Sequence, residues 1–142
     1  MDNTLRPGET RTALARDELE LFIPLPADWI NANDRLHWRP KAKLTKAWRM
    51  AAHIHARVNG LPRGLERIAV TVHVVKPTAR AYDAHNLMPT AKAVMDGLVD
   101  YGLIPDDTNA HLVGPDIREG GKGKAGLRIV IETLPTIVAK TS

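Results

Sequence analysis

Residues 82–111, YDAHNLMPTAKAVMDGLVDYGLIPDDTNAH, set Asp83, Asp96, Asp100 and the adjacent pair Asp106-Asp107 around a single lysine, Lys92. Neighbouring carboxylates repel, and two kinds of chemistry accommodate them. In one, Asp83 starts a turn, Asp96 faces solvent on a helix, and Asp106-Asp107 makes an Asx-type turn after Pro105. In the other, oxygen ligands from separated parts of the chain converge on a divalent cation. Chain length permits convergence: a helix of about 13 residues advances roughly 20 Å, and the return from Asp100 to Asp107 reaches about 26 Å. Lys92 and Asp96, four apart, share a helix face, where an ammonium can offset carboxylate repulsion or hold a phosphate oxygen.

The elements that must position these groups follow from periodicity. LELFIPL puts Leu19, Leu21, Ile23 and Leu25 on one face of a strand that Pro24 and Pro26 terminate. After the loop WINANDRLHWRP, Pro40 suits the opening of a helix over KAKLTKAWRMAAHIHARVNG, closed by Asn59-Gly60. Its apolar stripe is Leu44, Trp48, Ala51, His55 and Val58, opposite Lys46, Arg49, His53 and Arg57. RIAVTVHVV alternates Ile68, Val70, Val72 and Val74 against Ala69, Thr71, His73 and Val75, as a central strand does. The acidic segment carries a second helix over 87–99, with Asn86 as N-cap, Pro89 in the first turn, and Gly97 and Gly102 weakening its end. AHLVGPDI and GLRIVIETL read as a hairpin with REGGKGKAG as its mobile loop. The order β, α, β, α, β, β predicts one α+β domain over 18–135, with a mixed or mainly antiparallel sheet of about four strands and two main helices. Residues 1–17 read as a flexible arm and 136–142 as a tail.

Composition narrows the function classes. The 142 residues suit one domain, and 44% hydrophobic with 25% charged content is that of a folded globular chain. With no cysteine, disulfides, thiolate nucleophiles and cysteine-based metal sites are excluded. The N-terminal stretch lacks the apolar core of a signal peptide and nothing approaches a membrane span, so a cytoplasmic protein without membrane partners is expected. Net charge is only +4, but Arg35, Arg39, Lys41, Lys43, Lys46, Arg49, Arg57 and Arg63 fall between positions 35 and 63 without one acid, leaving the rest of the chain at −4. A block this dense is either a solvated helix face or the footprint of a polyanion, most simply nucleic acid.

The combined pattern resembles the RusA-type Holliday junction resolvases, in the form common in phages of actinobacteria. The resemblance rests on Asp83-x-His85-Asn86-Leu87, Pro89-Thr90-Ala91-Lys92, Asp96-Gly97-Leu98-Val99 and Pro105-Asp106-Asp107. It reaches back to NDRLHW at 33–38 and forward through the last two strands, covering roughly 19–134. It implies a RusA-like fold and a homodimeric, Mg²⁺- or Mn²⁺-dependent endonuclease making paired cuts in four-way DNA junctions, in the host cytoplasm if phage-encoded. Carried over residue by residue, the catalytic groups are Asp83, the position of His85, Lys92 and Asp107. The metal would be held by Asp83, Asp106, Asp107 and His85, and the DNA by Asn33, Arg35, Arg39, Lys41, Lys43, Lys46, Arg49 and Arg57.

Two departures bear on this. His85 stands where the family pattern has an aspartate, replacing a hard oxygen donor with an imidazole better suited to Mn²⁺ or to general-base work. Three additional residues between Asn86 and Lys92, about one helical turn, leave the lysine on the same face. Alternatives from the same residues are a branched-DNA binder without turnover and a nuclease preferring flaps or forks. DAHN as an HNH nuclease would need a tight ββα unit with correctly spaced His and Asn, whereas a single strand leads directly into it, and GGKGKAG lacks the Ser/Thr and glycine spacing of a P-loop. His53, His55 and His73 carry no assigned role. His37 and Trp38 are candidates either for DNA contact or for packing beneath the site, and His111 is a candidate supporting group beside the aspartate pair.

Overall fold

The computed structural model describes residues 17–33, 38–78 and 82–135. The expected N-terminal arm, C-terminal tail, Arg35 and His37 lie outside them, and Trp38 and Arg39 are described in backbone only.

Among the described residues seven elements follow in order: β1 (Glu18–Pro24), α1 (Trp38–Val58), β2 (Ile68–Lys76), a 3-10 turn (Ala84–Leu87), α2 (Met88–Tyr101), β3 (Leu112–Lys122) and β4 (Gly126–Thr133). The four strands form one mixed sheet in the order β1-β4-β2-β3. β4 runs antiparallel to both β1 and β2, whereas β3 is parallel to β2 and reached through α2. This is the expected α+β domain.

The predicted alternation in β2 holds: Ile68, Val70, Val72 and Val74 are buried, while Ala69, Thr71 and His73 on the other face are half-buried. Leu21 and Ile23 of β1 and Leu127, Ile129 and Ile131 of β4 continue the buried face. They form one core with Trp48, Ala52 and Ala56 of α1 and Ala91, Met95 and Leu98 of α2. Leu25, expected on that face, is exposed because β1 ends at Pro24.

The expected hairpin is not formed. β2 lies between β3 and β4, and three residues, 123–125, carry the chain across its end, where Gly123 N–H donates to the Lys76 carbonyl at 2.9 Å. Most of the glycine-rich stretch read as a loop therefore belongs to β3. β4, apolar enough for a central strand, takes a partner on each side.

The helix boundaries and faces also differ from expectation. α1 buries Trp48, Ala51, Ala52 and Ala56, but Val58 is 77% exposed. Val58 follows Ala56 by about 200° around the helix, which turns it outward. The alanines permit close packing on α2 at Gly97. A Cβ at Gly97 would collide with the Arg49 carbonyl and come within 2.8 Å of the Ala52 Cβ. Gly97 thus seats the helix pair rather than weakening the helix, which runs on to Tyr101 and ends at Gly102 with φ 99°. Asn86 caps nothing with its side chain. The helix issues directly from the 3-10 turn, and Pro89 in the first turn needs no N–H acceptor.

Candidate functional site

The 3-10 turn fixes the first acidic position. Asp83 is its N-cap, with Oδ1 accepting the His85 backbone N–H at 3.0 Å. Both side chains are exposed, and the turn packs against β3. Its backbone also anchors the loop before α1: the Asn86 carbonyl accepts from Ala32 N–H at 2.7 Å.

Thr90, two residues into α2, completes that anchor and is a positioning residue that sequence reasoning missed. Fully buried, its hydroxyl accepts from Ile30 N–H at 2.8 Å and donates to the Ile30 carbonyl at 2.9 Å. A small hydroxyl residue among apolar helix positions was the available signal. The loop bearing Asn31 and exposed Asn33 is thereby held against the N-terminus of α2.

Lys92 lies two residues further along, about 200° around the helix and so on its exposed side. Its Nζ stands 3.0 Å from Asp107 Oδ2, and this hydrogen bond raises the lysine pKa, with the Asp107 and Asp96 charges adding to it. Asp107 is therefore brought back to the N-terminal half of α2, which the turn carrying Asp83 and His85 immediately precedes. The lysine and aspartate side chains are 65% and 36% exposed, so the pair adds little stability. Its consequence is placement: an ammonium and a carboxylate share one open surface.

Asp106 does something different. Its Oδ1 accepts from the Thr108 hydroxyl and, at 2.9 Å, from Thr108 N–H, and these bonds lower its pKa. It is the Asx-type turn of the simpler reading, and it aims its neighbour Asp107 at Lys92. His111 likewise serves the local backbone, its Nδ1 2.7 Å from the Glu66 carbonyl oxygen.

The four expected metal donors do not assemble into a cage: among the described residues no group of three His, Cys, Asp or Glu could hold a metal ion. The donor chemistry left on the open surface, the hard oxygens of Asp83 and Asp107, fits an ion that takes one or two carboxylates and completes its shell with water and substrate phosphate, as Mg²⁺ does.

The basic residues divide. Lys41, Lys43, Lys46 and Arg57 are exposed along α1. Arg49 is instead paired with Asp100 of α2 through two hydrogen bonds, Nη2 to Oδ1 at 2.8 Å and Nε to Oδ2 at 2.5 Å; the pair raises the arginine pKa and lowers that of the aspartate. Lys41, Lys46 and Arg49 flank a shallow groove with Thr45, and Thr45 also lines the groove containing Lys92 and Asp96. The basic part of α1 therefore leads into the Lys92 surface. Arg57 lies about 24 Å along the helix from Lys41, away from that groove.

No protein-family model matches this chain, and no curated protein matches it.

Proposed function

We propose that the chain is a divalent-metal-dependent endodeoxyribonuclease acting, as a homodimer, on four-way DNA junctions. The observation that carries the reading is the Lys92–Asp107 contact, which joins two positions of the resemblance on the helix that follows the turn bearing the other two, with Lys92 in a groove that shares Thr45 with one lined by Lys41, Lys46 and Arg49.

Asp83 and Asp107 would hold the ion between water and substrate phosphate, with His85 as the base that takes a proton from the attacking water. When bound, a divalent ion polarises the phosphate and makes water a nucleophile near neutral pH. Lys92 neutralises a non-bridging phosphate oxygen as charge develops there, and the exposed α1 lysines grip backbone phosphates and so recognise branch shape rather than sequence. Two matched cuts in a nearly two-fold junction require two such sites in one frame, which a homodimer supplies. Cleavage of labelled four-way junctions, with linear duplex and flap controls, tests the reading.

A second reading has its own observation. Without a group of three metal-holding side chains among the described residues, and with histidine at position 85, the same surface suits a branched-DNA binder that does not turn over. His85→Asp separates the two. A large gain in Mg²⁺-dependent cleavage favours the binder, and a loss favours histidine as a working group.

A further inference from the structure

A cavity of about 570 Å³ opens between the loop before α1, the start of α1 and the end of β2. Its size is that of a small-molecule site. Trp29, Leu44 and Leu87 supply apolar walls, and Lys43, Lys76 and Asn31 supply polar groups. Asp28 is the single acid of the described lining.

Trp29 is half-buried and held rigidly. Its ring stacks on that of Trp48, with centroids 5.4 Å apart and planes inclined by 24°. Trp48 is wholly buried and donates from Nε1 to the Asp28 carbonyl at 2.9 Å. The Lys76 ammonium sits 5.8 Å from the Trp29 centroid and 3.9 Å from that of Tyr82. Among the described residues no carboxylate pairs with Lys43 or Lys76.

This combination selects its ligand class. A small free anion has no use for the indole and leucine walls, and an apolar ligand has none for two ammonium groups that no described carboxylate neutralises. A nucleotide uses both, because its base stacks on an aromatic ring while its phosphates meet cations. The cavity also touches the candidate site. Leu87 closes the turn that carries Asp83 and His85, and the Ala32–Asn86 hydrogen bond joins the loop to that turn.

We propose that this cavity receives one unstacked nucleobase of the DNA strand, with Trp29 as its stacking platform and Lys43 and Lys76 on the flanking phosphates. The proposal rests on the DNA reading above and adds to it a subsite that distinguishes a strand with bases from a bare phosphate chain.

The test is binding, in EDTA, of a short labelled oligothymidylate and of an abasic strand with the same number of phosphates. The wild-type protein is expected to bind the base-bearing strand about tenfold more tightly. Trp29→Ala removes that preference while leaving abasic binding in place, and Trp29→Phe restores part of it, which a general loss of packing does not do. Lys43→Ala, on an exposed position that leaves the core intact, weakens both strands. Equal wild-type binding of the two strands overturns the subsite while the DNA reading survives. No binding to either strand, with a four-way junction still bound in EDTA, overturns the subsite alone, and loss of junction binding as well overturns both.

Discussion

Lys92 Nζ and Asp107 Oδ2 stand 3.0 Å apart across 15 positions of sequence. The contact forms because the chain turns back after α2 and the Asp106 side chain, tied to Thr108, fixes the direction of that return. Both partners are exposed, so their proximity serves the surface they create more than the fold. Lys92→Ala and Asp107→Asn are accordingly expected to lower junction cleavage by about 100-fold or more. The same changes should alter stability by no more than about 1 kcal/mol. Cleavage rates beside thermal melts check this, and a collapse of the melting temperature would assign the pair a structural role instead.

Gly97 tests the helix pairing. The added methyl of Gly97→Ala meets the Arg49 carbonyl and Ala52. Because backbone and a short side chain cannot swing aside, the expected loss is about 1–3 kcal/mol despite the better helix propensity of alanine. Urea unfolding measures it. Unchanged or increased stability would mean that α1 and α2 are less closely seated than described.

His73 gives a pH dependence with a definite sign. Burial, followed by the charges of Arg128 and Arg118, lowers its pKa below the usual 6.5, although Glu20 and Asp116 act in the opposite direction. As pH falls through that value the unfolded chain takes up a proton before the folded one, so stability declines from pH 6.5 down to the folded pKa. His73→Gln should flatten that part of the stability–pH curve. Identical slopes for the two proteins between pH 7 and 5, as round values spanning the window, would count against it.

The α1 cations should contribute unequally to DNA binding. Lys41→Ala, Lys43→Ala and Lys46→Ala are each expected to reduce the slope of log affinity against log salt by about 1. Arg49→Ala should reduce it less, because Asp100 already neutralises that guanidinium. Titrations at several salt concentrations decide the matter, and an Arg49 effect equal to that of the lysines would show that DNA displaces Asp100.

Much of this was legible in the amino-acid pattern. The alternation in β2 and the length of the two helices follow from local periodicity, and chain length alone left open a return of the Asp106-Asp107 pair toward the start of α2. The strand order was not legible. Consecutive strands usually pair, and nothing local reports that β2 inserts between β3 and β4. The face of α1 drifted for a similar reason: Ala52 faces inward where Gly97 admits it, a relation between residues 45 positions apart. At the site, Asp106 and Asp107 look alike in sequence, and only the turn around Thr108 separates a structural carboxylate from one presented to Lys92. Trp29 and Lys76 drew no notice because their shared cavity joins a loop to a distant strand end.

The most direct test of the central claim is cleavage of an end-labelled synthetic four-way junction in Mg²⁺, Mn²⁺ or EDTA, with Asp107→Asn in parallel. Paired symmetric cuts that require the metal and vanish in the variant are the predicted result. Tight junction binding with no cleavage in either metal would contradict it and leave the protein as a binder of branched DNA.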